Sequence, residues 1–212
     1  MPSQSATPTP YDPKEHWTKR GESYREELRS RRRGKTARNF DAQERLLPEV
    51  ITALKPESVL EVGCGYGRMT ALISRLPSVK VYDAVDFSLH NIEDARMSLK
   101  NVRFTAGDFM DIHFDRRYDL VFACEVLMHV PPAQIGNFLR KMRDLSQAYV
   151  VSLDYSMEKS VELDPTNFNH GYRALYEGLS PKTVEEKRLE TKRLFGVEAY
   201  PQSIFVADFR TA

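Results

Sequence analysis

The stretch from Val59 to Thr70 reads VLEVGCGYGRMT and places Gly63, Gly65 and Gly67 at alternate positions directly after an apolar run. The chain has only ten glycines, so three within five positions mark a place where side chains would be in the way. Glycine at every other position strips one side of a turn, letting backbone bend sharply or approach a ligand. Asp86 comes twenty-three positions after Gly63, close to the ~20 at which a carboxylate accepts from ribose hydroxyls. Its two acceptor oxygens suit two hydroxyls presented side by side. Together these residues predict a nucleotide-like ligand. The alternatives are a plain strand-to-helix turn and, for Asp86, a helix N-cap, a job that Ser88 can also do. The spacing is G-x-G-x-G rather than G-x-G-x-x-G, and no Walker lysine follows, so neither a dinucleotide nor a triphosphate cradle is expected.

Such a turn needs a strand before it and a helix after it. SVLEV (58–62) reads as a buried strand and GRMTALISRL (67–76) as a helix. KVYDAVD (80–86), NVRFTAGD (101–108), YDLVFAC (118–124) and AYVVSLDY (148–155) read as further strands. Helical segments SLHNIEDARMSL (88–99) and PPAQIGNFLRKMRDL (131–145) separate them, the second with prolines suited to a first turn. Short apolar strands alternating with helices predict an α/β, doubly wound fold: a mostly parallel seven-stranded sheet with helices on both faces. The closing KRLFGVEAYPQSIFVADFR predicts two strands turning at Ala199–Pro201, an antiparallel hairpin at the sheet's end. Residues 1–13 read as a disordered tail and 14–56 as a helical cap or lid. Residues 57–212 read as the main domain, with an acceptor-side insertion at 156–180 in which Phe168, Tyr172, Leu175 and Tyr176 suggest a short helix.

With 212 residues, 41% hydrophobic and a net charge of +1, the chain reads as one globular domain without a chain-wide nucleic-acid footprint. Cys64 and Cys124 make neither a disulfide framework nor a CxxC metal site. No run approaches the ~18 apolar residues of a membrane span, and the polar start lacks a signal peptide's core; a cytoplasmic protein is the expectation.

VLEVGCGYGRMT, followed by VDFS, AGDF and YDLVFACEVLMHVPP, resembles the class I S-adenosylmethionine-dependent methyltransferases from Val59 to about Tyr155. The resemblance implies S-adenosyl-L-methionine as cofactor and S-adenosyl-L-homocysteine as product. It implies that Glu61 and the turn Gly63–Gly67, Cys64 included, hold the methionine end. Asp86 would bind the ribose, Phe87 would flank the adenine, and Asp108 and the Phe109 amide would serve the ring. Cys124 and Glu125 would face the sulfonium and the acceptor. No metal is needed, because the donor carries its own leaving group.

The acceptor side is less defined. His129 is a candidate general base, since a neutral imidazole titrates near working pH; it could equally pack beside the cofactor. NFNHGYR, with Asn169, His170, Tyr172 and Arg173, crowds binding-type side chains into one irregular segment, with His170 and Tyr172 as further catalytic candidates. Arg173 could clamp a carboxylate or phosphate. Met128, Trp17 and Tyr24 complete the candidate acceptor wall, the last two either as a lid's aromatic face or as anchors for a helix. The reading is methyl transfer to oxygen or nitrogen of a small-molecule acceptor. The basic run Arg29–Arg38 offers the alternative of an RNA or protein methyltransferase docking through it.

Overall fold

Helices α1 (Pro13–Arg32) and α2 (Ala37–Leu54) precede the first strand in the computed structural model, which describes residues 11–32, 37–157, 161–189 and 201–210. The alternating part follows as β1 (Ser58–Val62), α3 (Thr70–Ile73), β2 (Val81–Asp86), α4 (Leu89–Ser98), β3 (Arg103–Ala106) and β4 (Tyr118–Cys124). A 3-10 turn (Leu127–His129) leads to α5 (Ile135–Leu145) and β5 (Ser146–Tyr155). The rest comprises β6 (Val161–Asp164), β7 (Asn167–Asn169), α6 (Tyr172–Glu177), β8 (Thr183–Arg188) and β9 (Gln202–Asp208).

Seven strands form one sheet in the order β3-β2-β1-β4-β5-β9-β8, parallel except for β9, which runs antiparallel to both neighbours. The apolar strands need cover on both faces, and side chains that alternate along each strand supply two cores. Val59, Leu120 and Phe122 face α2, α3 and α4, packing with Leu47, Ile73 and Ile92. Leu60, Val121 and Ala123 face α5 and α6, packing with Leu139, Met142 and Tyr176. β1 is flanked by β2 on one side and β4 on the other, with Val62 level with Val85 and Ala123. Chain order reverses there, so loops diverge from adjacent strand ends and leave a crevice. Among the described residues no helix is long and apolar enough to cross a membrane.

Several elements differ from the sequence expectation. α3 is only Thr70–Ile73, because the preceding segment folds as turns (Gly67 N donates to Cys64 O at 3.0 Å) that present backbone rather than helix. Pro131 does not start α5; its carbonyl accepts from Gln134 N at 2.8 Å in a separate turn before the helix. Phe168 lies in β7, not in a helix, and the antiparallel β6–β7 pair occupies the segment expected to be irregular. The strand paired with β9 is TVEEKR at 183–188, and the expected strand at KRLFGV lies outside the described residues. A polar edge strand carries no apolar run to mark it in the sequence, and charge along an edge strand in general disfavours pairing with other chains. The expected turn at Ala199–Tyr200 lies outside the described residues.

Candidate functional site

The glycine turn is held open by the strand ends around it. Gly63 N and Cys64 N donate to Val85 O at 2.8 and 3.1 Å. Gly63, Gly65 and Gly67 have φ of 72°, 55° and 89°, the left-handed region that other residues enter at a cost of about 1–2 kcal/mol. A Cβ on Gly63 would lie 2.4 Å from Val126 Cγ2, so here glycine is required by space as well as by conformation. Asp86 Oδ2 accepts from Gly65 N at 2.8 Å, while Oδ1 accepts from Ser88 N at 2.9 Å and Asn91 Nδ2 at 3.3 Å. This carboxylate therefore shapes the turn. Three of its roughly four acceptor positions are filled, and the residue lines the cavity. Burial raises the Asp86 pKa, and the three donors pull against it. Ser88 caps α4, its Oγ accepting from Asn91 N at 3.2 Å.

Beneath the turn, Glu61 is buried on β1. Its Oε2 accepts from Thr70 Oγ1 at 2.5 Å and from Tyr82 OH at 2.7 Å. Burial pushes its pKa up to about 7, against the pull of these two hydroxyls. Cys64 and Cys124 are thiols whose pKa burial raises, so neither is a reactive thiolate. Cys64 is buried in the turn, and Cys124 lines the cavity.

A cavity of about 640 Å³ opens beyond the strand ends. Gly63, Gly65, Asp86 and Phe87 line one side, and Asp108 and Phe109 line another. Cys124 and Glu125 line it as well. Glu125 is itself left-handed, with φ of 56°, an uncommon state for a residue with a side chain. A closed hydrogen-bonded ring holds it there: Arg68 Nη2 donates to Glu125 Oε2 (3.3 Å) and to Gln43 Oε1 (2.9 Å). Gln43 Nε2 donates to Gln202 Oε1 (3.0 Å), and Gln202 Nε2 donates back to Glu125 Oε1 (3.0 Å). α2, the glycine turn, the end of β4 and the start of β9 are thereby tied to one carboxylate. Gln43 and Gln202 lie in no motif, and nothing local in the sequence joins them to Arg68 or Glu125.

α1 closes the cavity's other wall. Its Trp17 and Tyr24 line the space together with Tyr11 and His129. Trp17 and His129 rings lie 4.6 Å apart and Trp17 and Tyr24 5.5 Å, edge-on. The helix can lie so close because Gly21 meets the cap of α4; a Cβ there would be 2.0 Å from Ser88 Oγ. His129 Nδ1 lies 2.8 Å from Thr166 O, and a carbonyl can only accept, so Nδ1 carries the proton. Nε2 is then the unprotonated nitrogen, with no protein partner among the described residues. Burial lowers the His129 pKa to about 4, keeping the ring neutral.

The other acceptor-side candidates do not line this cavity. Met128 is buried, its amide donating to Asp154 Oδ1 at 3.1 Å. Asn169 exchanges two hydrogen bonds with the Met157 backbone. His170 is 4% exposed, and its Nε2 lies 3.2 Å from Leu127 O and 3.0 Å from Val130 O, behind the turn that carries His129. Tyr172 is buried against Phe205 in the core between the sheet and α6. Arg173 is exposed and pairs with Glu186. Phe168, Asn169, His170 and Tyr172 of this crowded stretch are thus buried in the protein, while Arg173 stays at its surface. Of the basic run, Arg29 pairs with Glu26 on the surface of α1, and residues 33–36 lie outside the described residues.

Residues 59–148 match the family model of a methyltransferase domain. Among curated relatives, an O-methyltransferase, cnsE, of Penicillium expansum is 34% identical over 124 residues, 51% of this chain and 45% of the relative. The mitochondrial ubiquinone biosynthesis O-methyltransferase of Dictyostelium discoideum is 32% identical over 101 residues, 40% of this chain and 31% of the relative. The chain thus spans less than half the length of the curated relatives it matches. In fold it is similar to magnesium protoporphyrin IX methyltransferase (ChlM) from Synechocystis PCC 6803 with bound SAM. The TM-score is 0.71 at 16% identity over 97% of this chain and 100% of that one. The DhpI–SAH complex gives a TM-score of 0.65 at 20% identity over 92% and 94%.

Proposed function

We propose that the protein, whose residues 59–148 match the family model of a methyltransferase domain, moves a methyl group from S-adenosyl-L-methionine to a hydroxyl oxygen of a small, planar acceptor. The cradle fits such a donor: Gly63 and Gly65, both left-handed, line the cavity with backbone alone. Asp86 and Asp108 line it. Glu61 and the Gly63–Gly67 turn would hold the methionine end, Asp86 the ribose, and Phe87, Asp108 and the Phe109 amide the adenine. When bound, the donor supplies an electrophilic methyl group with its own leaving group. The protein's share is then alignment, proton removal and exclusion of water.

The observation that carries the acceptor assignment is His129: a cavity-lining imidazole with Nδ1–H committed to Thr166 O and a bare Nε2. Nε2 takes the proton from the acceptor hydroxyl as its oxygen attacks. A base with a pKa near 4 is weak, and it suits a hydroxyl already acidified, as in a phenol or enol. Such an oxygen becomes sharply more acidic as its new bond forms, so the proton leaves late. Trp17, Tyr24 and Tyr11 supply a wall for a planar acceptor, and the O-methyltransferase relatives agree with oxygen as the target.

Calorimetry with S-adenosyl-L-methionine and its homocysteine product tests the donor site, and labelled donor with a panel of phenols, enols and amines tests the acceptor. His129→Gln is expected to lower kcat about 10²-fold or more while donor affinity is kept. At saturating donor the wild-type kcat should fall as pH drops through 4, where His129 takes up a proton. Absence of binding heat from either ligand, or turnover on RNA or protein alone, would overturn the reading.

A further inference from the structure

His129 does not hold its own position; four groups from outside its turn hold it. Asp154, buried on β5, accepts from Met128 N through Oδ1 at 3.1 Å, taking up an amide at the start of the 3-10 turn. At the other end His170 Nε2 stands between Leu127 O (3.2 Å) and Val130 O (3.0 Å). Both are acceptors, so Nε2 must carry the hydrogen and share it between them. Tyr11 OH donates to His129 O at 3.1 Å. The Thr166 carbonyl then engages the ring itself. Two of these four groups, Thr166 O and His170, belong to the β6–β7 hairpin and the residue after it.

The hairpin's own turn is built to present that carbonyl. Asp164 Oδ1 accepts from Thr166 N (2.8 Å), Thr166 Oγ1 (2.9 Å) and Asn167 Nδ2 (2.9 Å), fixing the Thr166 peptide. Phe168 and Asn169 are buried, which anchors the far strand, while Asp164 stays exposed at the tip. An imidazole with a free choice of tautomer would present Nε2 as donor part of the time, and a donor there cannot accept a proton.

We propose that the β6–β7 hairpin is a positioning device for His129, in which Thr166 O selects the ring tautomer and His170 pins the turn that carries the ring. His170 is on this account a positioning residue and touches no reacting atom. The proposal rests on His129 as proton acceptor for its consequence in turnover, but its geometry can be read without turnover.

Ring nitrogens of ¹⁵N-histidine-labelled protein report the tautomer directly by NMR, and three variants complete the test. Asp164→Ala loosens the exposed tip without touching the core. His170→Leu removes the donor, and His170→Gln retains an amide donor. In the wild-type protein His129 should show a protonated Nδ1 and an unprotonated Nε2. Asp164→Ala and His170→Leu should give mixed tautomers and lower kcat about tenfold or more, with donor Kd unchanged, since misplacement near 1 Å can forfeit up to ~10² in rate. His170→Gln should recover most of both signals. A wild-type His129 protonated on Nε2 overturns the proposal outright. So does an unchanged His129 signature in Asp164→Ala, whether or not His170→Leu folds. If His129→Gln leaves turnover intact while the tautomer changes occur as stated, the hairpin's role stands and the proton-transfer reading falls.

Discussion

A carboxyl that titrates near neutrality directly under the glycine turn makes stability a function of pH. Glu61 has its pKa raised by burial from 4.5 to about 7, and its Oε2 is held by Thr70 and Tyr82 hydroxyls. Because the folded value is raised, the folded state binds more protons than the unfolded chain between about pH 4.5 and 7. Its contribution is therefore complete below 4.5, declines through that window and is gone above about 7. A shift of that size corresponds to about 3 kcal/mol, a large part of the 5–15 kcal/mol typical of a domain. Glu61→Gln keeps a carbonyl to accept from both hydroxyls and cannot ionise. Urea unfolding at pH 4.5, 5.5, 6.5 and 7.5 should show the variant gaining on the wild-type protein by about 3 kcal/mol across the series, at constant m. Asp86 and Asp154 also have raised pKa values and bend both curves, which is why the difference is the quantity to read. Parallel curves for the two proteins would refute the reasoning, since Glu61 would then titrate alike folded and unfolded.

Two further outcomes follow from close approaches in the structure. Gly21→Ala raises the intrinsic helicity of α1 by up to ~1 kcal/mol yet places a Cβ 2.0 Å from Ser88 Oγ. Limited proteolysis of α1 should therefore speed up and donor should dissociate faster; slower cleavage would show that the helix does not dock through this contact. Gly63→Ala meets Val126 at 2.4 Å as well as a φ of 72°, whereas Gly65→Ala meets only Tyr24 at 3.4 Å. The first should lower Tm by many degrees, and the second should fold with about 1–2 kcal/mol of strain but lose donor affinity in calorimetry. Equal losses of stability in both would contradict the packing described.

What could be read from the sequence was what is local. The strands β1, β2, β4 and β5, the cap at Ser88 and the glycine turn announce themselves because burial on both faces, capping and left-handed backbone each demand particular residues within a few positions. β8 escaped because an exposed edge strand is selected for charge rather than for apolar content. In NFNHGYR the groups suit a ligand surface or a turn equally well, and only the pairing of β6 with β7 shows that Phe168, Asn169, His170 and Tyr172 are buried.

By itself the sequence determined the fold class and the place of the glycine turn and the carboxylate beside it, since glycine spacing, strand ends and the residue ending β2 are properties of short stretches. Only the tertiary structure decided which histidine meets the cavity and which of its nitrogens is bare. It alone also tied Gln43 to Gln202 across 159 positions around Glu125. The direction of a side chain and the state of its protons are set by the groups that surround it, and those groups come from the whole length of the chain.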